Sequence, residues 1–137
     1  MCSEAEWEYA ARNGSAGTLY PWGDTDPTCD DAVWRGNGCS ASESAAGCSK
    51  PAGNDTWGVC DLAGNVLEWV EDDYHSDYTG APTDGSAWVD SPRASFRVSR
   101  GGGFQNAVAG ALRGTLRYSG ISSSGDLATG ARCCRFP

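Results

Sequence analysis

Seven cysteines in 137 residues constrain this chain more than any other feature. Cys2, Cys29, Cys39, Cys48, Cys60, Cys133 and Cys134 stand far above ordinary cytosolic usage, so disulfide bonding in an oxidising compartment is the first reading. Structural zinc calls for close pairs such as Cys-x2-Cys. Here the central cysteines lie ten, nine and twelve residues apart, and the one close pair is the adjacent Cys133 and Cys134. Seven is odd, so at least one thiol stays free or pairs outside the chain.

The length fits one domain with a real core. Nineteen glycines, six prolines, three Phe, five Tyr and six Trp predict a loop-rich fold whose core rests on a few large rings. A net charge of −8 repels phosphate backbones, which excludes nucleic acid as a partner and makes cations the natural counterpart. No apolar stretch approaches the ~20 residues needed to span a bilayer, and no leader is visible, so an export signal is expected upstream.

Along the chain, Ser3-Glu4-Ala5-Glu6 is a capping box that opens a short helix with Trp7, Ala10 and Ala11 on one face, ending at Gly14. From Tyr20 to Cys60 the text is Pro, Gly, Asp, Asn and Ser around isolated tryptophans, without sustained period 2 or 3.6. Val66 to Val70 reads as a buried strand and Phe96 to Arg100 as a half-buried one, with an acidic, turn-rich segment from Glu71 to Pro92 between them. Acidic runs such as Asp72-Asp73 are usually solvated. The glycine run Gly101 to Gly103 lacks the lysine and helix of a phosphate loop and predicts a tight backbone crossing. A small, polar stretch with Ser119, Gly120, Ser122, Ser123, Ser124 and Gly125 follows, and the chain closes on Gly130 to Arg135. The lone histidine, His75, sits among carboxylates and reads as a surface imidazole, which leaves a His-based metal or hydrolase triad unsupported.

Four phrases in this order resemble the formylglycine-generating-enzyme (sulfatase-modifying-factor) family. They are Ser3 to Arg12, Tyr20-Pro21-Trp22-Gly23-Asp24, Trp57 to Val70, and Arg97-Val98-Ser99-Arg100-Gly101-Gly102-Gly103-Phe104. The resemblance runs end to end but covers only the C-terminal half or more of that domain, without the family's N-terminal strands. It implies an α+β, loop-rich fold of the C-type-lectin-like kind, with few short antiparallel strands and one or two short helices. Trp7, Trp22, Trp57 and Trp69 fall inside the family phrases and are expected as core rings, while Trp34 and Trp88 are free for surface contacts.

The resemblance also implies structural calcium. Matching positions give side-chain oxygens of Asp61 and Glu68 and main-chain oxygens of Gly64 and Val66, a hard-oxygen set suited to that ion. Catalysis in the family rests on two cysteines five residues apart, whose thiolates suit Cu(I). Those positions fall on Asn106 and Ala111 here, so copper is not expected. The family further implies a bridge from Cys2 to Cys133, worth up to ~4–5 kcal/mol in the chain-entropy model, which leaves Cys134 as the odd thiol. Cys29, Cys39, Cys48 and Cys60 then form two more bridges, with three connectivities open.

The stretch after Gln105 departs most from family pattern and resembles the variable proteins of diversity-generating retroelements, which mount a randomised face on this fold. Gln105, Asn106, Val108, Leu116, Tyr118 and Ile121 are the candidate ligand-binding residues. The expected function is a non-catalytic, calcium-stabilised domain that binds a protein or glycan at an extracellular, periplasmic or cell-surface location. The alternative is a copper-dependent formylglycine-generating oxidoreductase.

Overall fold

Ser3 Oγ accepts the Glu6 amide at 3.2 Å while the Glu6 carboxylate accepts the Ser3 amide at 2.9 Å, so the capping box forms as written. The helix α1 spans Glu4–Ala11 and buries Trp7 and Ala11. It stops short of Gly14 because Asn13 already turns left-handed, at φ 54°, and starts a 3-10 turn over Gly14–Ala16. The computed structural model describes residues 1–121 and 127–134, so Ser122, Ser123, Ser124, Gly125 and Arg135 lie outside the described residues.

Among the described residues four strands form one sheet: β1 (Leu67–Asp73), β2 (Phe96–Arg100), β3 (Arg117–Ile121) and β4 (Thr129–Ala131), in the order β3-β2-β1-β4. The pairs β1/β2 and β2/β3 are antiparallel as expected, whereas β4 joins β1 in parallel and makes the sheet mixed. Between Tyr20 and Cys60 the chain has only a 3-10 turn at Pro51–Gly53 and an isolated bridge between Tyr20 and Gly23. The disulfides Cys29–Cys39 and Cys48–Cys60 tie this segment locally and select one of the three connectivities.

β1 extends past the expected Val70 into Glu71, Asp72 and Asp73, and it buries the last two instead of exposing them. Asp73 is 0% exposed because the Asp90 amide (2.8 Å), Arg93 and Arg97 all converge on its carboxylate. Burial works to raise its pKa, but the Asp90 amide and Arg93 outweigh it and hold Asp73 below the ordinary carboxylate value. Asp72 accepts the Glu4 amide at 2.7 Å and the Trp88 amide at 2.8 Å, and burial pushes its pKa up.

Two clusters make the core. One joins Cys2, Trp7, Ala11, Leu62, Val70 and Val98, and the other joins Tyr20, Ala32, Trp34, Ala63 and Leu112. Trp34 is therefore a core ring at 2% exposure and not a surface contact. Trp57 is the reverse, 58% exposed and stacked on Tyr9 with ring centroids 5.9 Å apart. The glycine run is the tight crossing expected of it. Gly102 has φ 67°, and a Cβ there would lie 2.6 Å from the Ala111 carbonyl.

The long-range bridge is Cys2–Cys134, and Cys133 is the exposed free thiol, which corrects the expected Cys2–Cys133 pair. The reason lies in the irregular residues after β4. Arg132 is held on Glu68, Cys133 is left exposed, and the next residue, Cys134, is the one that reaches buried Cys2.

Candidate functional site

The loop from Asp61 to Glu68 is curled by left-handed backbone at Asp61 (φ 59°), Gly64 (φ 78°) and Asn65 (φ 62°). The Gly64 amide donates to the Gly101 carbonyl and the Asn65 amide to the Val33 carbonyl, both at 2.9 Å, which docks the loop on the glycine crossing and on the second core cluster. Among the described residues no protein donor reaches the carbonyl oxygen of buried Gly64 or that of Val66. Asp61 spends one carboxylate oxygen on the Cys48 amide at 2.6 Å.

Glu68 is different. Its carboxylate, on a residue 7% exposed, accepts the Trp7 indole N–H at 2.7 Å and a two-pronged contact from Arg132, Nε at 2.9 Å and Nη2 at 2.6 Å. Of the four expected cation ligands, Glu68 has both carboxylate oxygens engaged by Arg132 and Trp7, and Asp61 has one engaged by the Cys48 amide. Arg132 was not singled out as part of this site in the sequence, because its partner lies 64 residues away. A second cluster with metal-ligand spacing, Cys48, Cys60 and Asp61, has both sulfurs spent on a disulfide.

The second candidate face begins where the glycine crossing ends. Asn106 Oδ1 accepts the Gly103 amide at 2.8 Å, and the Tyr118 hydroxyl donates to the Ala111 carbonyl at 3.3 Å. Burial raises the Tyr118 pKa against an opposing hydrogen bond with the Asn106 side chain, so Asn106, Ala111 and Tyr118 form one cluster. It contains no thiol and no carboxylate. Exposed Gln105 flanks it, and Val108, 71% exposed, lines a shallow cavity of about 360 Å³ with Asp26, Pro27, Trp34 and Asn37. Asp26 and Asn37 carried no signal in the sequence, since they come from the irregular segment between the first helix and the sheet.

Leu116 and Ile121 do not share one patch. They flank opposite ends of the five-residue β3, about 16 Å apart at strand rise, with Ile121 opposite Phe96. Of the six candidate residues, Gln105, Asn106, Val108 and Tyr118 lie around the glycine crossing, while Leu116 and Ile121 lie at the two ends of β3, Ile121 beside Phe96.

No helix among the described residues is long and apolar enough to cross a membrane. Residues 1–136 match the sulfatase-modifying factor enzyme 1-like domain. The chain is 36% identical over 101 residues to the inactive C-alpha-formylglycine-generating enzyme 2 of Bos taurus, covering 68% of this chain and 33% of that protein. Proteins named as formylglycine-generating enzymes match as well. The structure of PvdO from Pseudomonas aeruginosa superposes with a TM-score of 0.79 at 33% identity, over 96% of this chain and 50% of PvdO. The Treponema denticola variable protein 1 superposes with a TM-score of 0.69 at 26% identity, over 96% of this chain and 45% of that one. The chain thus spans a third to a half of the length of these proteins. The match over residues 1–136 and the superposition on PvdO place the chain in the sulfatase-modifying-factor, formylglycine-generating-enzyme family.

Proposed function

We propose that this domain is a non-catalytic, calcium-stabilised ligand-binding module of the family, displayed outside the cytoplasm, that engages a protein or glycan through the surface around Asn106, Val108 and Tyr118. The observation that carries this reading is the cluster of Asn106, Ala111 and Tyr118. An amide and a methyl group stand at the two positions where the family's thiolates would hold Cu(I), and a phenol packs beside them. Neither side chain supplies a soft ligand or a redox-active sulfur.

The relative named as inactive and the superposition on a variable protein support the same reading. Three disulfides within 137 residues support an oxidising location. Calcium would be held by oxygens of Asp61, Gly64 and Val66, with Glu68 as the fourth ligand. Its contribution is to fix the loop against which the glycine crossing packs, and hence Asn106.

The test is a screen of the oxidised protein against glycan and cell-surface protein arrays, repeated with Val108→Asp and Tyr118→Ala. Binding that both substitutions weaken at least tenfold, with unchanged melting of Val108→Asp, supports the assignment. Ligand binding indifferent to both substitutions moves the binding surface elsewhere and defeats it.

A further inference from the structure

Between α1 and the segment that follows β1 lies a cavity of about 390 Å³, on elements that the proposed ligand surface does not use. Its aromatic walls are Tyr9, Tyr78 and Trp88, and its carboxylates are Glu4, Glu8 and Asp72. Each ring is steadied by a neighbour. Tyr9 stacks on Trp57, Trp88 stacks on His75 at 3.6 Å, and Tyr78 carries the Arg117 guanidinium 4.4 Å from its centroid. Tyr9 and Tyr78 nevertheless remain 60% and 54% exposed, so two large rings stand at a concavity that no side chain among the described residues fills.

The three carboxylates are not equivalent. Glu4 is forked by Arg117 at 2.6 and 2.8 Å, with Arg100 at 3.5 Å. Glu8 pairs with Arg12 at 3.0 Å and with Arg100. Asp72 accepts the amides of Glu4 and Trp88, one on each oxygen, and among the described residues no Lys, Arg or His ion-pairs with it. It is 5% exposed. A carboxylate this buried without a cation is costly. Burial, with the charge of Glu4 adding to it, raises the Asp72 pKa. Burial and the same Glu4 charge push the Tyr78 phenol up to about 12, so Tyr78 stays neutral and brings no second anion.

We propose that this cavity binds an organic ammonium ion, a protonated amine on an alkyl stem, with Asp72 as its counter-ion and the rings of Tyr9, Tyr78 and Trp88 around the cation and stem. Aromatic faces attract alkylammonium groups electrostatically, and an unpaired buried carboxylate selects an amine over a neutral alcohol of the same shape. The volume is near the lower end for small-molecule sites and suits one lysine-like chain or a short free amine, not a large ligand. The chain's net charge of −8 raises the local concentration of such cations.

The experiment is a titration of the oxidised protein with n-butylammonium, followed by amide chemical shifts, with n-butanol and methyl glucoside as matched neutral probes. Expected are shifts confined to residues 4–14 and 72–88 with a Kd on the order of 1 mM, and a loss of about tenfold in Tyr9→Ala, whose exposed ring leaves the core untouched. Asp72→Asn should abolish binding, and Tyr9→Ala keeps the test decisive if Asp72→Asn fails to fold. Butanol binding as tightly as butylammonium, glucoside binding alone, or no shifts at the cavity would each overturn the proposal. Capped lysine amide and a lysine-containing peptide then separate a small amine from a protein side chain as the source.

Discussion

Arg132 and Glu68 meet as a fork, with Arg132 Nε 2.9 Å and Nη2 2.6 Å from the two oxygens of a carboxylate that also receives the Trp7 indole. A fixed positive charge therefore sits on the residue that family pattern assigns to calcium. Arg132→Ala should leave Glu68 buried and half-satisfied, at a cost of about 3 kcal/mol in chelator, as for breaking a buried pair. Calcium should restore more stability to this variant than to the wild type, because Glu68 is then free to ligate. Urea unfolding with and without calcium measures both effects. Equal calcium response in the two proteins would place the cation away from Glu68.

The bridge Cys2–Cys134 makes Cys133 the reactive thiol. Alkylation of the native protein followed by peptide mapping should label Cys133 alone. Cys133→Ser should be neutral within about 0.5 kcal/mol. Cys134→Ser should cost about 2–5 kcal/mol, since it opens a loop with a sequence separation of 132.

Asp72 and Asp73 are neighbours in β1 with opposite pKa shifts, Asp72 raised and Asp73 lowered. For Asp73 the folded value lies below the unfolded one. Its contribution to stability is complete above the unfolded carboxylate value of about 3.9 and is lost as pH falls through the folded value. For Asp72 the folded state keeps its proton to higher pH, so stability from that group declines as pH rises through the window above about 3.9. Carboxyl carbon titration by NMR should find the two midpoints on opposite sides of that value. Asp73→Asn should remove the acid-side contribution and destabilise at neutral pH by leaving Arg93 and Arg97 without their shared counter-ion.

Two tryptophans whose burial is the reverse of what the sequence reading expected should behave differently. Trp34→Ala should cost about 3–5 kcal/mol, because that ring is fully packed. Trp57→Ala should cost under about 1 kcal/mol, because it removes only an exposed stack on Tyr9. Chemical denaturation of the two variants separates them.

What could be read from the sequence was what is determined locally. The capping box at Ser3 and Glu6 fixes a helix start within four residues, and the alternation in Phe96 to Arg100 fixes a strand. Family spacing marks Asn106 and Ala111, and in the fold Tyr118 meets both of them. The buried Asp73 was not legible, since its partners Arg93 and Arg97 lie 20 and 24 residues away. The choice of Cys134 over Cys133 depends on which way a single residue faces after β4. The cavity near Asp72 was hidden because its walls come from α1 and from a turn-rich segment without periodicity.

The most direct measurement is Cu(I) titration of the oxidised protein against a competing chelator, with a Cys-x-Pro-x-Arg peptide assayed for formylglycine by mass spectrometry. The account predicts no Cu(I) site at Asn106 and Ala111 and no aldehyde in the peptide. Tight Cu(I) binding with aldehyde formation by the unmodified chain would contradict it.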